Sequence, residues 1–170
     1  MRVVKAYAFR RYSMTCASKD LPQAYILYTD GSADTVTRAG AYAYAILDES
    51  KEMLSCCAEA VSNTTNNAME LTAVLEGLKQ CDRSRPVEVV SDSAYVVNCF
   101  LQQWYVKWRK NNWYASSGPV KNVEIWKELL AVAESFEAPI LWTHIRGHRG
   151  NYWNEYVDKL CNSVRKKRNQ

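Results

Sequence analysis

A chain of 170 residues with 48% hydrophobic side chains is long enough for one domain with a substantial core. No apolar run approaches the roughly 20 residues that span a bilayer. Six cysteines (Cys16, Cys56, Cys57, Cys81, Cys99 and Cys161) show no Cys-x-x-Cys spacing, which reads as buried free thiols of an intracellular protein rather than a disulfide frame or a zinc site. The net charge of +4 is carried by the two ends. Residues 1–19 hold five Lys/Arg and no acid, and Arg165-Lys-Lys-Arg168 adds four more; setting these nine aside from the 22 leaves 13 basic against 18 acidic residues, a body of about −5.

In chain order, residues 1–23 form a basic, acid-poor extension that resembles an organelle transit segment or an unstructured arm. A first strand, Tyr25 to Tyr28, runs into Asp30, Gly31 and Ser32. On its own, an Asp before Gly braces a turn. Ala39 to Leu47, with Tyr42 and Tyr44 alternating with small residues, and Lys51 to Val61 read as two further strands; their short connections favour an antiparallel meander. Asn63-Thr-Thr-Asn-Asn67 supplies helix N-cap residues, and a helix follows from Ala68 to about Cys81 with Leu71, Leu75 and Leu78 on one stripe. Glu70 then falls in the first turn, where an acid interacts favourably with the helix dipole.

Val87-Glu-Val-Val-Ser-Asp92-Ser93 repeats the arrangement of a strand ending in Asp and a hydroxyl. A helix from Ser93 to about Gln102 lets strand 87–91 lie parallel to the first strand in an α/β arrangement. Two acidic strand ends point to one acidic site at the carboxyl edge of a sheet. The next stretch, Gln103 to Tyr114, interleaves Trp104, Trp108 and Trp113 with Lys107, Arg109 and Lys110, a mixture suited to stacking on bases or sugars and to phosphate contact. Its other reading is a helix whose indoles pack on the body, with Trp104 in the core and Trp108 and Trp113 partly exposed. Lys121 to Ala133 is an amphipathic helix with Val123, Trp126, Leu130 and Ala133 inward. A strand, Ile140 to Ile145, leads to the glycine-bounded loop Gly147-His148-Arg149-Gly150. A final helix places Asn154, Glu155 and Asp158 on one face.

Five blocks together resemble ribonuclease HI: Tyr28-Thr-Asp30-Gly-Ser32, Thr64-Thr-Asn-Asn-x-Met-Glu70-Leu, Ser91-Asp92-Ser-x-Tyr95-Val, Pro119-Val-Lys-Asn122-Val-x-x-Trp126 and Gly147-His148-x-Gly150-x-x-x-Asn154-Glu155-x-x-Asp158. They stand in family order over residues 24–165. The resemblance implies an α/β fold with a mixed five-stranded sheet, three antiparallel strands plus two parallel ones, flanked by helices. It also implies an endonuclease that hydrolyses the RNA strand of RNA–DNA hybrids and leaves 5′-phosphates. Asp30, Glu70, Asp92 and Asp158 would bind two Mg2+ ions, or Mn2+ as a substitute; such ions activate water and stabilise the leaving oxygen. His148 would assist proton transfer or product release from its loop. Asn66 and Asn67 would read the RNA strand beside Gly31 and Ser32, and Thr65 and Asn122 would hold a DNA phosphate. Trp104, Lys107, Trp108, Lys110 and Trp113 would belong to a basic hybrid-binding protrusion. Asn63 departs from an arginine found there in some members, which weakens that contact. The expected partner is the hybrid, with no membrane; the expected state is a monomer in the cytoplasm unless residues 1–23 direct it to an organelle. Residues 166–170 are a basic tail.

Overall fold

The computed structural model describes residues 24–147 and 150–168; the basic extension and the His148 position lie outside them. Three strands form the expected meander: β1 (Tyr25–Ala33), β2 (Gly40–Leu47) and β3 (Met53–Val61). β1 pairs antiparallel with β2, and β2 with β3. Helix α1 (Asn66–Gln80) leads to β4 (Val87–Ser91), which lies parallel to β1 with Thr29 opposite Ser91. Two short helices follow, α2 (Ala94–Leu101) and α3 (Trp104–Lys110), then the small ribbon β5 (Tyr114–Ala115) and β6 (Gly118–Pro119) and helix α4 (Val123–Glu134). Strand β7 (Ile140–His144) joins β4 in parallel, and α5 (Tyr152–Arg168) closes the chain. The main sheet therefore has the order β3-β2-β1-β4-β7, the mixed architecture expected from sequence. None of the described helices is long and apolar enough to cross a membrane.

The alternation in β2 separates two cores. Tyr42, Tyr44 and Ile46 face a cluster built from α1, α2 and α4, with Leu71, Leu75, Leu78, Phe100, Trp126 and Leu129. Ala41, Ala43 and Ala45 face the other way, toward Val157 and Cys161 of α5. Small residues on that face let α5 lie close against the sheet, which brings the acids of α5 to the ends of the strands.

Several expectations change. Helix α1 starts at Asn66, with the hydroxyl of Thr65 accepting from the Ala68 amide at 3.3 Å, so Glu70 lies beyond the first turn and its position is not explained by the dipole. Trp104 is only half-buried, and Tyr105 takes the core place, its ring 5.8 Å from Phe100. The cause is the backbone break between α2 and α3: Gln103 adopts a left-handed conformation (φ 54°) and turns the following helix. In α4, Leu129 is fully buried beside Trp126 and Leu130, whereas Val123 and Ala133 are half-buried. Of the described cysteines, all free, Cys81, Cys99 and Cys161 are buried as expected, but Cys56 is exposed and Cys57 half-buried because β3 is a sheet edge.

Candidate active site

The parallel pairing of β1 with β4 fixes the first two acids. Asp30 and Asp92 each follow the register pair Thr29–Ser91, so both emerge at the same edge of the sheet. That edge is where open α/β sheets place their ligands. Gly31 explains how α1 reaches this edge. A Cβ at Gly31 would collide with the backbone of α1 at Met69 and Glu70, so the missing side chain permits the approach that delivers Glu70 beside Asp30. From the opposite face, α5 supplies Asp158, near enough to Asp30 to raise its pKa.

The four carboxylates bear on one another. Burial, then the charges of Asp92 and Asp158, push the Asp30 carboxyl up from 3.8 to about 6. Glu70 is also pushed up to about 6, first by burial and then by Asp92 and Asp30, against a hydrogen bond from Ser93 that pulls it down. Asp30 Oδ2 is buried without a hydrogen-bond partner. None of the ion pairs among the described residues involves these acids. Half-buried carboxylates drawn together with no basic partner among the described residues form a donor set suited to hard divalent cations. As the side chains stand, no three His, Cys, Asp or Glu among the described residues close into a ready-made cage. Each acid leans on a neighbour: Cys161 and the Gly31 backbone hydrogen-bond Asp30, the Ser93 hydroxyl donates to Glu70, Asn154 Nδ2 to Asp92 Oδ2 at 3.5 Å, and Asn162 Nδ2 to Asp158 Oδ1 at 2.8 Å.

The remaining sequence candidates occupy three places. Ser32 lies on β1, its Oγ 3.5 Å from Cys161 Sγ, next to Ala33, whose amide donates to Asn66 Oδ1 at 2.5 Å. Thr65, Asn66 and Asn67 are exposed at the start of α1. Asn122 precedes α4 in a left-handed conformation (φ 57°) and hydrogen-bonds Tyr95, the hydroxyl that accepts from Trp126 Nε1 at 2.8 Å. The aromatic segment forms a groove of about 520 Å3 lined by Trp104, Lys107, Trp108, Asn111, Tyr114 and Ser116. Trp113 packs behind it, 6.5 Å from Trp108, with Lys127 over its ring. Lys110 is exposed. Arg109 turns away to pair with Glu134 and to lie over Tyr105. His148 lies outside the described residues, but its loop starts at the site: a Cβ on Gly147 would come within 2.7 Å of Asp92 Oδ2.

Sequence reasoning passes over three neighbours of the acids. Ser93 reads in the sequence as the hydroxyl after Asp92 and the start of a helix, without a partner among the acids; its hydroxyl joins the Glu70 carboxylate. Cys161, in contact with Ser32 and Asp30, and Asn162 carry no motif signal. Helical spacing from Asp158 is the one available clue to both.

The sequence model of the RNase H family matches residues 22–166 of the chain. A ribonuclease H of Thermoanaerobacter sp. (strain X514) is 41% identical over 137 residues, which are 79% of this chain and 85% of the relative. A ribonuclease HI of Neisseria meningitidis serogroup B is 41% identical over 141 residues, 82% of this chain and 94% of the relative. Among solved structures, LC9-RNase H1, a type 1 RNase H with the type 2 active-site motif, superposes with a TM-score of 0.74 at 22% identity, covering 88% of this chain and 75% of that one. The N-terminal RNase H domain of a Mycobacterium tuberculosis protein, solved as a fusion with maltose-binding protein, gives a TM-score of 0.68 at 19% identity, covering 85% and 95%. At these identities the structural likeness speaks for the fold.

Proposed function

The chain belongs to the ribonuclease H family, and on that premise we propose that residues 24–165 are a monomeric catalytic domain that cuts the RNA strand of RNA–DNA hybrids endonucleolytically, by metal-assisted hydrolysis leaving 5′-phosphate and 3′-hydroxyl ends. The observation that carries this reading is the convergence of Asp30, Glu70, Asp92 and Asp158 at one sheet edge, with Asp30 Oδ2 buried and unpartnered. These four would hold the cations, Asp30 at their centre. When bound, two Mg2+ ions, or Mn2+, acidify a water and neutralise charge on the leaving oxygen. The protein's own part is to orient the acids through Ser93 and Asn154 and to place the hybrid. Exposed Asn66 and Asn67, beside Ser32, suit contacts to 2′-hydroxyls, the groups that distinguish RNA from DNA. The groove and its lysines suit phosphates and bases of the hybrid.

A panel of end-labelled RNA–DNA hybrid, RNA duplex and DNA duplex, each with Mg2+ and with chelator, tests the reading. Cleavage of the RNA strand of the hybrid alone, lost with chelator, is expected. Equal cutting of the DNA duplex, or binding without cutting, would point to a different nuclease or to a binding module.

Two further outcomes follow from the site. Replacing Lys107 and Lys110 with Ala is expected to weaken hybrid binding and to reduce the slope of log K against log salt by about 0.9 for each phosphate no longer neutralised. Arg109→Ala should change the slope less, because its guanidinium is already engaged by Glu134. An unchanged slope in the lysine double variant would mean that the groove faces away from the substrate. His148→Ala is expected to keep metal binding and hybrid affinity while the single-turnover rate falls by roughly 10²–10⁴-fold or less, the range for loss of a general acid–base group. Loss of Mn2+ binding together with all activity, read by calorimetric titration, would instead make His148 a ligand.

A further inference from the structure

Helix α5 does more than carry Asp158. One turn further on, Asn162 lies on the same face and turns its amide back. Its Nδ2 donates to the Asp158 carboxylate at Oδ1 (2.8 Å) and to the Asp158 backbone carbonyl (3.0 Å). Its Oδ1 accepts from Arg165 Nη2 at 3.0 Å. The two ends of the amide therefore face opposite demands. Flipping it would set its carbonyl against a carboxylate and its NH2 against a guanidinium, so both partners enforce the same orientation. All three residues are half-buried, which shields the chain of hydrogen bonds from full competition by water.

We propose that Asn162, locked by Arg165, is a positioning residue that holds the Asp158 carboxylate in the orientation that binds the cation. The inference rests on the reading of Asp158 as a cation ligand. A free aspartate at this position would sample its rotamers and lose that freedom on binding; one already held from behind by an amide loses less. The contact also tunes without titrating. An amide donor withdraws some charge from Oδ1 but adds none to a site already crowded with carboxylates. The Arg165 charge is kept one residue further away, so it orients the amide without occupying a place beside the acids.

The test is calorimetric titration of Mn2+ into the full-length protein, free of substrate, for the parent, Asn162→Ala, Asn162→Asp, Arg165→Ala and Asp158→Asn, with hybrid cleavage followed against Mg2+ concentration. Asn162→Ala is expected to weaken Mn2+ binding by about 10-fold, at the lower end of the 10–100-fold typical for loss of a group supporting a ligand. Asn162→Asp should be worse, since it sets carboxylate against carboxylate. Arg165→Ala should weaken binding by a smaller factor. In all three, KM for the hybrid stays near the parent value and the Mg2+ midpoint moves up, so that high Mg2+ restores kcat. A structural role alone would not produce that recovery. In the Asp158→Asn background, Asn162→Ala should add nothing.

Mn2+ affinity and Mg2+ midpoint within twofold of the parent for both Asn162→Ala and Arg165→Ala, while Asp158→Asn loses binding, would overturn the inference and leave the cation site standing. Unchanged Mn2+ binding in Asp158→Asn would instead remove the reading on which it rests. If Asn162→Ala fails to fold, Arg165→Ala decides, because the hydrogen bond described for that guanidinium goes to Asn162 and its charge otherwise acts on Asp34.

Discussion

Asp30→Asn is expected to lower the rate of hybrid cleavage by at least roughly 10²–10³-fold, the scale of losing a principal electrostatic group, and at the same time to make the metal-free protein more stable at neutral pH. Both effects have one cause. The Asp30 carboxyl is raised to about 6 by burial and by Asp92 and Asp158, so the folded state holds its proton more tightly than the unfolded chain, where the value is 3.8. Stability from this group is fully present below about pH 4, declines as pH rises through about 6, and is absent above that. Glu70, raised from 4.5 to about 6, works in the same window. At about 1.4 kcal/mol per pKa unit, the Asp30 penalty at pH 7.5 is on the order of 3 kcal/mol, and a neutral amide removes it. Urea unfolding in chelator should therefore show Asp30→Asn more stable than the parent at pH 7.5 and nearly equal to it at pH 4. Added Mg2+ should stabilise the parent and not the variant. Equal stability of the two at pH 7.5 would refute the electrostatic account, and near-normal turnover would refute the role of Asp30.

The second large effect is expected in the core, at Trp126. This side chain is fully buried. Its ring meets Tyr95 at 5.5 Å, Phe100 at 6.0 Å and Trp108 at 5.4 Å, and its Nε1 donates to the Tyr95 hydroxyl. It thus joins α4 to α2 and to the groove of α3. Trp126→Ala should cost about 3–5 kcal/mol, as for large aromatic truncations in other cores. Part of that cost is the loss of one of the two hydrogen bonds to the Tyr95 hydroxyl, the Asn122 bond remaining. Because Trp108 leans on Trp126 and Asn122 bonds Tyr95, hybrid affinity should fall more than the rate at saturating hybrid. Denaturant unfolding and hybrid titration check the two parts. A loss under about 1 kcal/mol would mean that the aromatic cluster repacks.

Asp30 and Asp92 are legible in the sequence because strand geometry makes them so, whereas Glu70 and Asp158 join them only through the family resemblance. An apolar strand that ends in Asp twice, with Ser or Gly after it, places both carboxylates at one edge as soon as the strands are parallel, and the register of β1 with β4 does so. The alternation of alanine and tyrosine in β2 is equally readable, because a period of two is a local property. What is not legible depends on the direction of the chain after a break. Trp104 and Tyr105 are neighbours of similar character, and only the left-handed Gln103 decides which one enters the core. Glu70 lies outside the first turn because Thr65, not a residue nearer Ala68, caps α1. Composition alone puts Cys56 and Cys57 in the interior, since it carries no information on which strand is an edge. Ser93 and Asn162 act through side-chain hydrogen bonds across elements or turns, and such bonds leave little pattern in a sequence.

The central claim, that these four carboxylates support metal-assisted hydrolysis of the RNA strand, is tested most directly by the chemistry of the product ends. A hybrid with a single labelled RNA strand is cut under Mg2+, and the fragments are identified by mass. Water attack predicts 5′-phosphate and 3′-hydroxyl ends, with no product in chelator and none above background for Asp30→Asn. Fragments ending in 2′,3′-cyclic phosphate, formed undiminished in chelator, would show attack by the neighbouring 2′-hydroxyl and contradict the account.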